Sequence, residues 1–366
     1  MESKTYGNDR RFIEQHLDTV EIALGEKRVL TTPSLQGRVV TSTTAGEGGY
    51  SFGWINYALI SSGKTLPHCN NFGGEDRFWL GPEGGQHSLF FRSGSDFSFD
   101  DWQTPAVIDT EAWAVTEKSE ALVSFRKEAL LQNYGGTPLA LGFERRVRLL
   151  DDAQLGEMLP ISLPAGVDYV AFESENRLTN RGDFEWNRQT GMPSIWILGQ
   201  FTPSDDNTII IPVRPAADST INDAYFGKIP ADRLRVTDTA LYYTGDGRMR
   251  GKIGIPPAMT LPLCGALDRQ NGTLTLVRFS FDPKQTTYVN SMWEHQDDPF
   301  RGDVINAYND GPLDDGSIMG PFYELETSSP AANLRPGQTL THRHTTIHFK
   351  GELALLEQLA KQIFSL

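Results

Sequence analysis

Apolar and polar residues alternate through most of this chain, and that period predicts strands. Residues 20–24, 27–32 and 37–43 form a first series, broken by Pro33 and Gly37. Residues 51–60 carry Phe52, Trp54, Ile55 and Tyr57 and run into a polar turn, and residues 88–91 read as a further strand. Residues 96–105 mix aromatics and acids, as in a loop lying over an apolar surface. From residue 112 the strand signal is dense: 112–115, 121–130, 141–150, 169–180, 194–201, 209–213, 242–244, 261–268 and 273–281. Charges sit among apolar residues in 144–150, as on a sheet with one wet face. Helical spacing is confined to the two ends. Residues 8–17 place Phe12, Ile13 and Leu17 on one side behind Asn8 or Asp9 as cap. Residues 352–364 repeat Leu353, Leu356, Leu359 and Ile363 at intervals of three and four. About twenty short strands bounded by glycine and proline imply an all-β, large antiparallel sandwich with short terminal helices. No linker, repeat or low-complexity tract interrupts the pattern, so residues 1–366 are read as one domain.

Composition changes the expected partners more than the fold. Hydrophobic residues make up 39% and charged residues 22%, which is ordinary for a globular chain. The formal charge of −14 speaks against nucleic acid or an anionic membrane as partner, since both are met by positive surface. Cys69 and Cys264 fit neither a disulfide framework nor a zinc site, and a single bridge between them stays open. Residues 1–9 lack the apolar core of a signal peptide, so the expected location is cytoplasmic, or periplasmic if a leader has been removed. No stretch reaches the roughly eighteen apolar residues of a membrane span. Phosphate-binding loops, nucleotide fingerprints and a nucleophile elbow are missing from the sequence.

Candidate chemistry concentrates in a ribbon from Asn70 to His87, rich in glycine and turn residues. Glu75, Asp76 and Glu83 supply acceptors, Arg77 a planar fork of donors, and Trp79 an apolar plate with a polar handle. That set suits a grip on a small polyhydroxylated molecule; it equally suits a structural hairpin in which Asp76 or Glu83 neutralises Arg77. His68 and His87 flank the ribbon. A second cluster runs from Met292 to Pro312, with Trp293, His295, Asn309 and Asp310. Indoles stack on the C–H faces of sugars, and amides and acids bond their hydroxyls. Glu324 and Glu326 are two apart on a predicted strand and so share a face. Paired carboxylates divide acid and base roles when one raises the other's pKa, or bind a hard cation through oxygen. His342, His344 and His348 also share a strand face. The first two are weak candidates for a metal, and a polar strand face turned outward or toward the cleft is the alternative, with Ile347 and Phe349 toward the core.

These motifs resemble the galactose mutarotase-like superfamily. Residues 74–78, Gly-Glu-Asp-Arg-Phe, sit where aldose 1-epimerases carry a Gly-x-x-Asn-Arg-Ile-type turn, with Asp76 in place of the asparagine. Residues 323–331 resemble the family's Leu-Glu-Thr strand before a Pro-Asp-Ala turn, one residue shorter, and residues 333–337 its Leu-x-Pro-Gly turn. The wider ribbon looks closer to uncharacterised bacterial branches of that superfamily. The resemblance implies a β-supersandwich, a small carbohydrate as partner, Arg77 as a sugar contact and Glu326 as catalytic base. One departure stands out. The family's catalytic histidine lies in a mid-chain Thr-Asn-His-x-Tyr-Phe strand, whereas no histidine occurs here between His87 and His295. The expected function is a sugar epimerase or isomerase with Glu326 as base and His295 or His87 as acid. The alternatives are a sugar-binding module without chemistry, and a glycoside hydrolase or lyase in which a divalent cation assists Glu324 and Glu326. No cofactor is otherwise expected, and the sequence is silent on oligomeric state.

Overall fold

Alternating sequences become half-buried strands because successive side chains point to opposite faces of a sheet. The computed structural model describes residues 4–217, 219–313 and 316–365. Residues 1–3, which open the segment read above as no leader, lie outside them. In chain order the strands are β1 (Val20–Leu24), β2 (Lys27–Thr32), β3 (Arg38–Thr43), β4 (Arg77–Gly81), β5 (Ala114–Lys118), β6 (Leu122–Gln132), β7 (Pro138–Leu149), β8 (Asp168–Asn180) and β9 (Ser194–Phe201). They continue as β10 (Asn207–Pro212), β11 (Leu234–Val236), β12 (Ala240–Thr244), β13 (Gly251–Ile255), β14 (Leu263–Asp268), β15 (Thr273–Phe279), β16 (Ile305–Asn309), β17 (Tyr323–Ser328) and β18 (Thr339–Lys350). The helices are α1 (Tyr6–Glu14), α2 (Tyr57–Ser62), α3 (Asp152–Met158) and α4 (Leu353–Phe364).

Ten strands form the large sheet, in the order β11-β12-β10-β14-β15-β18-β8-β7-β6-β5, and five form a second, β13-β16-β17-β9-β4. A three-stranded sheet, β1-β2-β3, joins the edge of the second through a bridge between Val39 and Asp76. Two apolar clusters fill the space between the large and five-stranded sheets. One holds Phe78, Leu80, Ile195 and Ile197 with Phe143, Val147 and Phe172. The other holds Ile253, Ile255 and Leu325 with Val277 and Leu241. A third lies behind the large sheet, where Leu155, Leu356, Leu359 and Phe364 of α3 and α4 cover Ile347, Phe349 and Leu274.

That third layer reverses the expectation for β18. Thr341 and Arg343 stay exposed, but from His344 to Phe349 both faces of the strand are covered: Ile347 and Phe349 pack under α4, and His342, His344 and His348 point inward between the sheets and are fully buried. The run 88–91 is not a strand. Ser88 Oγ accepts hydrogen bonds from the backbone N–H groups of Phe90 and Phe91, at 3.0 and 3.2 Å, which satisfies them locally. The amino-terminal helix starts at Tyr6, so Asp9 lies inside it rather than capping it and accepts from Tyr57 Oη at 2.6 Å. Two internal helices add to the terminal pair. Asn56 caps α2 by accepting from Leu59 N–H, and Gly63 closes it in the left-handed conformation. Asp151 and Gln154 form a capping box on α3.

Candidate functional site

The five-stranded sheet turns one face to the core and the other to a set of covering loops. β17 lies in its middle, between β16 and β9. Tyr323 and Leu325 enter the core, and Glu324 and Glu326 take the loop-covered face. Strand register sets their neighbours. One row across the sheet reads Gly254, Asn306, Glu326, Leu198, Arg77. The next reads Lys252, Tyr308, Glu324, Gln200. A third brings Ser328, Trp196 and Trp79 together.

Two ion pairs cross these rows diagonally, the reach that long side chains have on a pleated face. Lys252 Nζ lies 2.9 Å from Glu326 Oε2, and Arg77 Nη2 lies 2.5 Å from Glu324 Oε1. Trp196 Nε1 donates to the same Glu326 oxygen at 2.9 Å, leaving Oε1 buried without a partner among the described residues. Glu324 is 8% exposed and lines the cavity above the sheet, while Glu326 is 0% exposed and lies beneath Lys252 and Trp196.

The loops complete a cavity of ≈ 90 Å³ with Glu83, Trp102, Phe226, Trp293 and Phe322. Trp102 and Trp293 stack at 5.6 Å, and Trp79 meets Trp196 edge to face at the same separation. Burial pushes Glu83 up to about 7, with Lys252 pulling down and Glu326 pushing up. Glu324 also rises to about 7, again through burial first, with Arg77 opposing and Glu326 adding to it. Burial alone would lower Lys252, but Glu326, Glu83 and Glu324 outweigh it and raise its pKa above the usual lysine value. Beside Trp196 and Lys252 lies a smaller polar space with Tyr225, Asn306 and Asp303. There Asp303 accepts from Tyr225 Oη at 2.6 Å, and burial lifts it to about 6.

The structure therefore brings together Glu324, Glu326, Arg77, Trp79, Glu83 and Trp293 of the residues named from sequence. It places the others elsewhere. Glu75 is buried against Ser42 and His348, with its Oε2 2.9 Å from His348 Nε2. Asp76 pairs with Arg145 at 2.6 Å between the sheets. His87 stacks on Phe300, and burial lowers its pKa. His295 is exposed, edge-on to Phe97 and Tyr134. Asn309 accepts from Gly247 N–H, and Asp310 accepts from Tyr308 Oη and Gly320 N–H, so both brace the loops behind the cavity. His342 and His344 both meet Thr327 Oγ1 between the sheets, at 2.8 and 2.9 Å. No group of three or more histidine, cysteine or acidic side chains is placed to hold a metal ion among the described residues. Cys69 and Cys264 are both free thiols. No helix among the described residues is long and apolar enough to cross a membrane.

Lys252, Arg250, Trp102 and Phe226 were not singled out from sequence. The one local signal for Lys252 was alternation in Gly251-Lys252-Ile253-Gly254-Ile255, thinned by two glycines.

Comparison with solved structures places the fold. The Slr1438 protein from Synechocystis sp. PCC 6803 superposes with a TM-score of 0.54 and 13% identity, covering 92% of this chain and 98% of that one. A galactose mutarotase-like protein from Lactobacillus casei gives 0.52 and 11%, over 91% and 100%. The GalM/aldose epimerase homologue from C. elegans gives 0.51 and 12%, over 92% and 99%. The fold is thus galactose mutarotase-like. No curated protein matches the chain. The sequence model of one family matches residues 4–366, and the chain belongs to it: the family of unknown function DUF6786.

Proposed function

We propose that this protein is a carbohydrate-active isomerase that interconverts sugar anomers. The observation that carries this reading is Glu324: a carboxyl group on the cavity floor, paired with Arg77, held near neutral pKa and ringed by indoles. A group titrating near working pH both takes and returns a proton efficiently. Glu324 would remove the proton of the anomeric hydroxyl. The C1–O5 bond breaks, its electron pair goes to O5, and a second acid protonates O5. Glu83, also near 7 and in the same cavity, is the candidate for that acid. Reversal after rotation about C1–C2 gives the other anomer. Glu326, the position that the family resemblance marks as base, would hold Lys252 charged beneath the substrate.

Proton-exchange NMR on a panel of aldoses tests this. The wild type should enhance anomer exchange for at least one sugar, and Glu324→Gln should cut that enhancement by ~10²–10⁴-fold while binding persists. Undiminished exchange in the variant would overturn the assignment. A second reading, a sugar-binding module without turnover, draws on one observation: Trp196 and Lys252, not a histidine, contact Glu326. Saturable binding with no exchange for any sugar bound would favour it.

A further inference from the structure

The cavity carries more cations than its carboxylates engage. Among the described residues, Arg77 and Lys252 each have one carboxylate partner. Arg250, just ahead of β13, has none among the described residues. Its guanidinium lies flat enough on Phe226 to bring the two centres within 3.8 Å, and it bonds Tyr308. Its Nε is buried with no hydrogen-bond partner among the described residues. Arg77 is 1% exposed, and its Nε and Nη1 are likewise buried and without a partner among the described residues. Both side chains line the cavity.

Leaving such buried donors unpaired is unfavourable, and more so for charged groups than for neutral ones. Guanidinium cannot escape by losing its proton. Its planar fork matches a carboxylate or a phosphate oxygen pair, and stacking on an aromatic ring fixes the plane of that fork. Glu83 and Asp310 feel the charge of Arg250 but do not pair with it directly, and a neutral sugar would satisfy its donors one at a time without bringing an anion to the fork. The opposite holds for Glu83, which has no cation within ion-pair range among the described residues and accepts a hydrogen bond from Trp293. It is suited to a hydroxyl.

From this we infer that the ligand is a sugar bearing an anionic group, a carboxylate or a phosphate, which docks on Arg250. The ring lies over the indoles, and its hydroxyls meet Glu83 and Glu324. This inference rests on reading the cavity as a carbohydrate site.

Calorimetric titration of the full chain with glucose, glucuronate and glucose 6-phosphate, and with the matching galactose series, tests it. At least one anionic sugar should bind about tenfold or more tightly than its neutral parent. Added salt should narrow that gap, because the interaction is between charges. Arg250→Gln should collapse the preference, and Arg250→Lys, which keeps charge but loses the fork, should restore part of it. The glucuronate and 6-phosphate arms separate a carboxylate from a phosphate. Equal affinity for neutral and anionic sugars would overturn the inference and leave the carbohydrate reading standing. A preference unchanged in a folded Arg250→Gln protein would also overturn it. No binding of any sugar, with no anomer exchange, would remove both.

Discussion

Lys252 shows how one side chain can organise a site. Its ammonium sits 2.9 Å from Glu326 Oε2 and 4.7 Å from the centre of the Trp196 ring. The pair is buried, so the attraction mostly offsets desolvation rather than adding net stability. Removing only one member is a different matter. Lys252→Met leaves the Glu326 charge uncompensated, and should destabilise the fold by about 3–5 kcal/mol in chemical denaturation. Adding Glu326→Gln should recover most of that loss, since no lone buried charge remains. If the double variant were as unstable as the single one, packing around Lys252 and not charge would explain the effect. Arg77 and the two glutamates were legible at this scale because a period of two puts Glu324 and Glu326 on one face. Lys252 was not, because its strand has five residues and two of them are glycine.

Elements are bounded here by local hydrogen bonds more than by hydrophobic period. Ser88 takes the N–H groups of Phe90 and Phe91 and so turns an apolar run into a buried loop. Asp151 and Gln154 do the reverse, starting a helix where alternation had suggested only the end of a strand. Asp151 accepts from Gln154 N–H at 2.9 Å, and Gln154 Oε1 accepts from Asp151 N–H at 3.1 Å. Asp151→Ala should therefore cost about 1 kcal/mol and lower the thermal midpoint. The helix packs behind the large sheet, so ligand affinity should stay unchanged; a fall in affinity with no change in midpoint would contradict this account.

At the scale of the molecule, a polar seam lies between sheets otherwise joined by apolar residues. Asp76 and Arg145, Glu75 and His348, and Thr327 with His342 and His344 make it up. Burial lowers His342 to about 3 and His344 to about 4. The unfolded chain takes up these protons near the usual histidine value, and the folded chain only well below it. Stability from these groups is therefore complete above that value and lost as pH falls toward 4, by about 1.4 kcal/mol per pH unit for each histidine. Glu83, Glu324 and Asp303 act in the opposite sense, since the folded state takes up their protons as pH falls through about 7 for the glutamates and about 6 for Asp303, before the unfolded chain does. The histidine share is isolated by comparison. His342→Gln/His344→Gln should lose less stability between pH 7 and pH 4.5 than the wild type, in denaturation at both values. Equal losses would mean that the seam does not titrate.

The chain's own pattern was enough to determine an all-β sandwich and its closing helix, because strand and helix periods are properties of neighbouring residues. It also determined that Glu324 and Glu326 share a face, and the motifs around them pointed to the superfamily. Only the tertiary structure decided which face was which. β18 reads as half-exposed until α4 covers its back, and then its polar side becomes interior. In the same way, Glu75 and Asp76 stand beside Arg77 in sequence but anchor other layers, while Lys252, Phe226, Trp102 and Arg250 come to the cavity from distant segments. A site assembled across five strands and their loops depends on register and long-range packing, and neither is written in the spacing of any one segment.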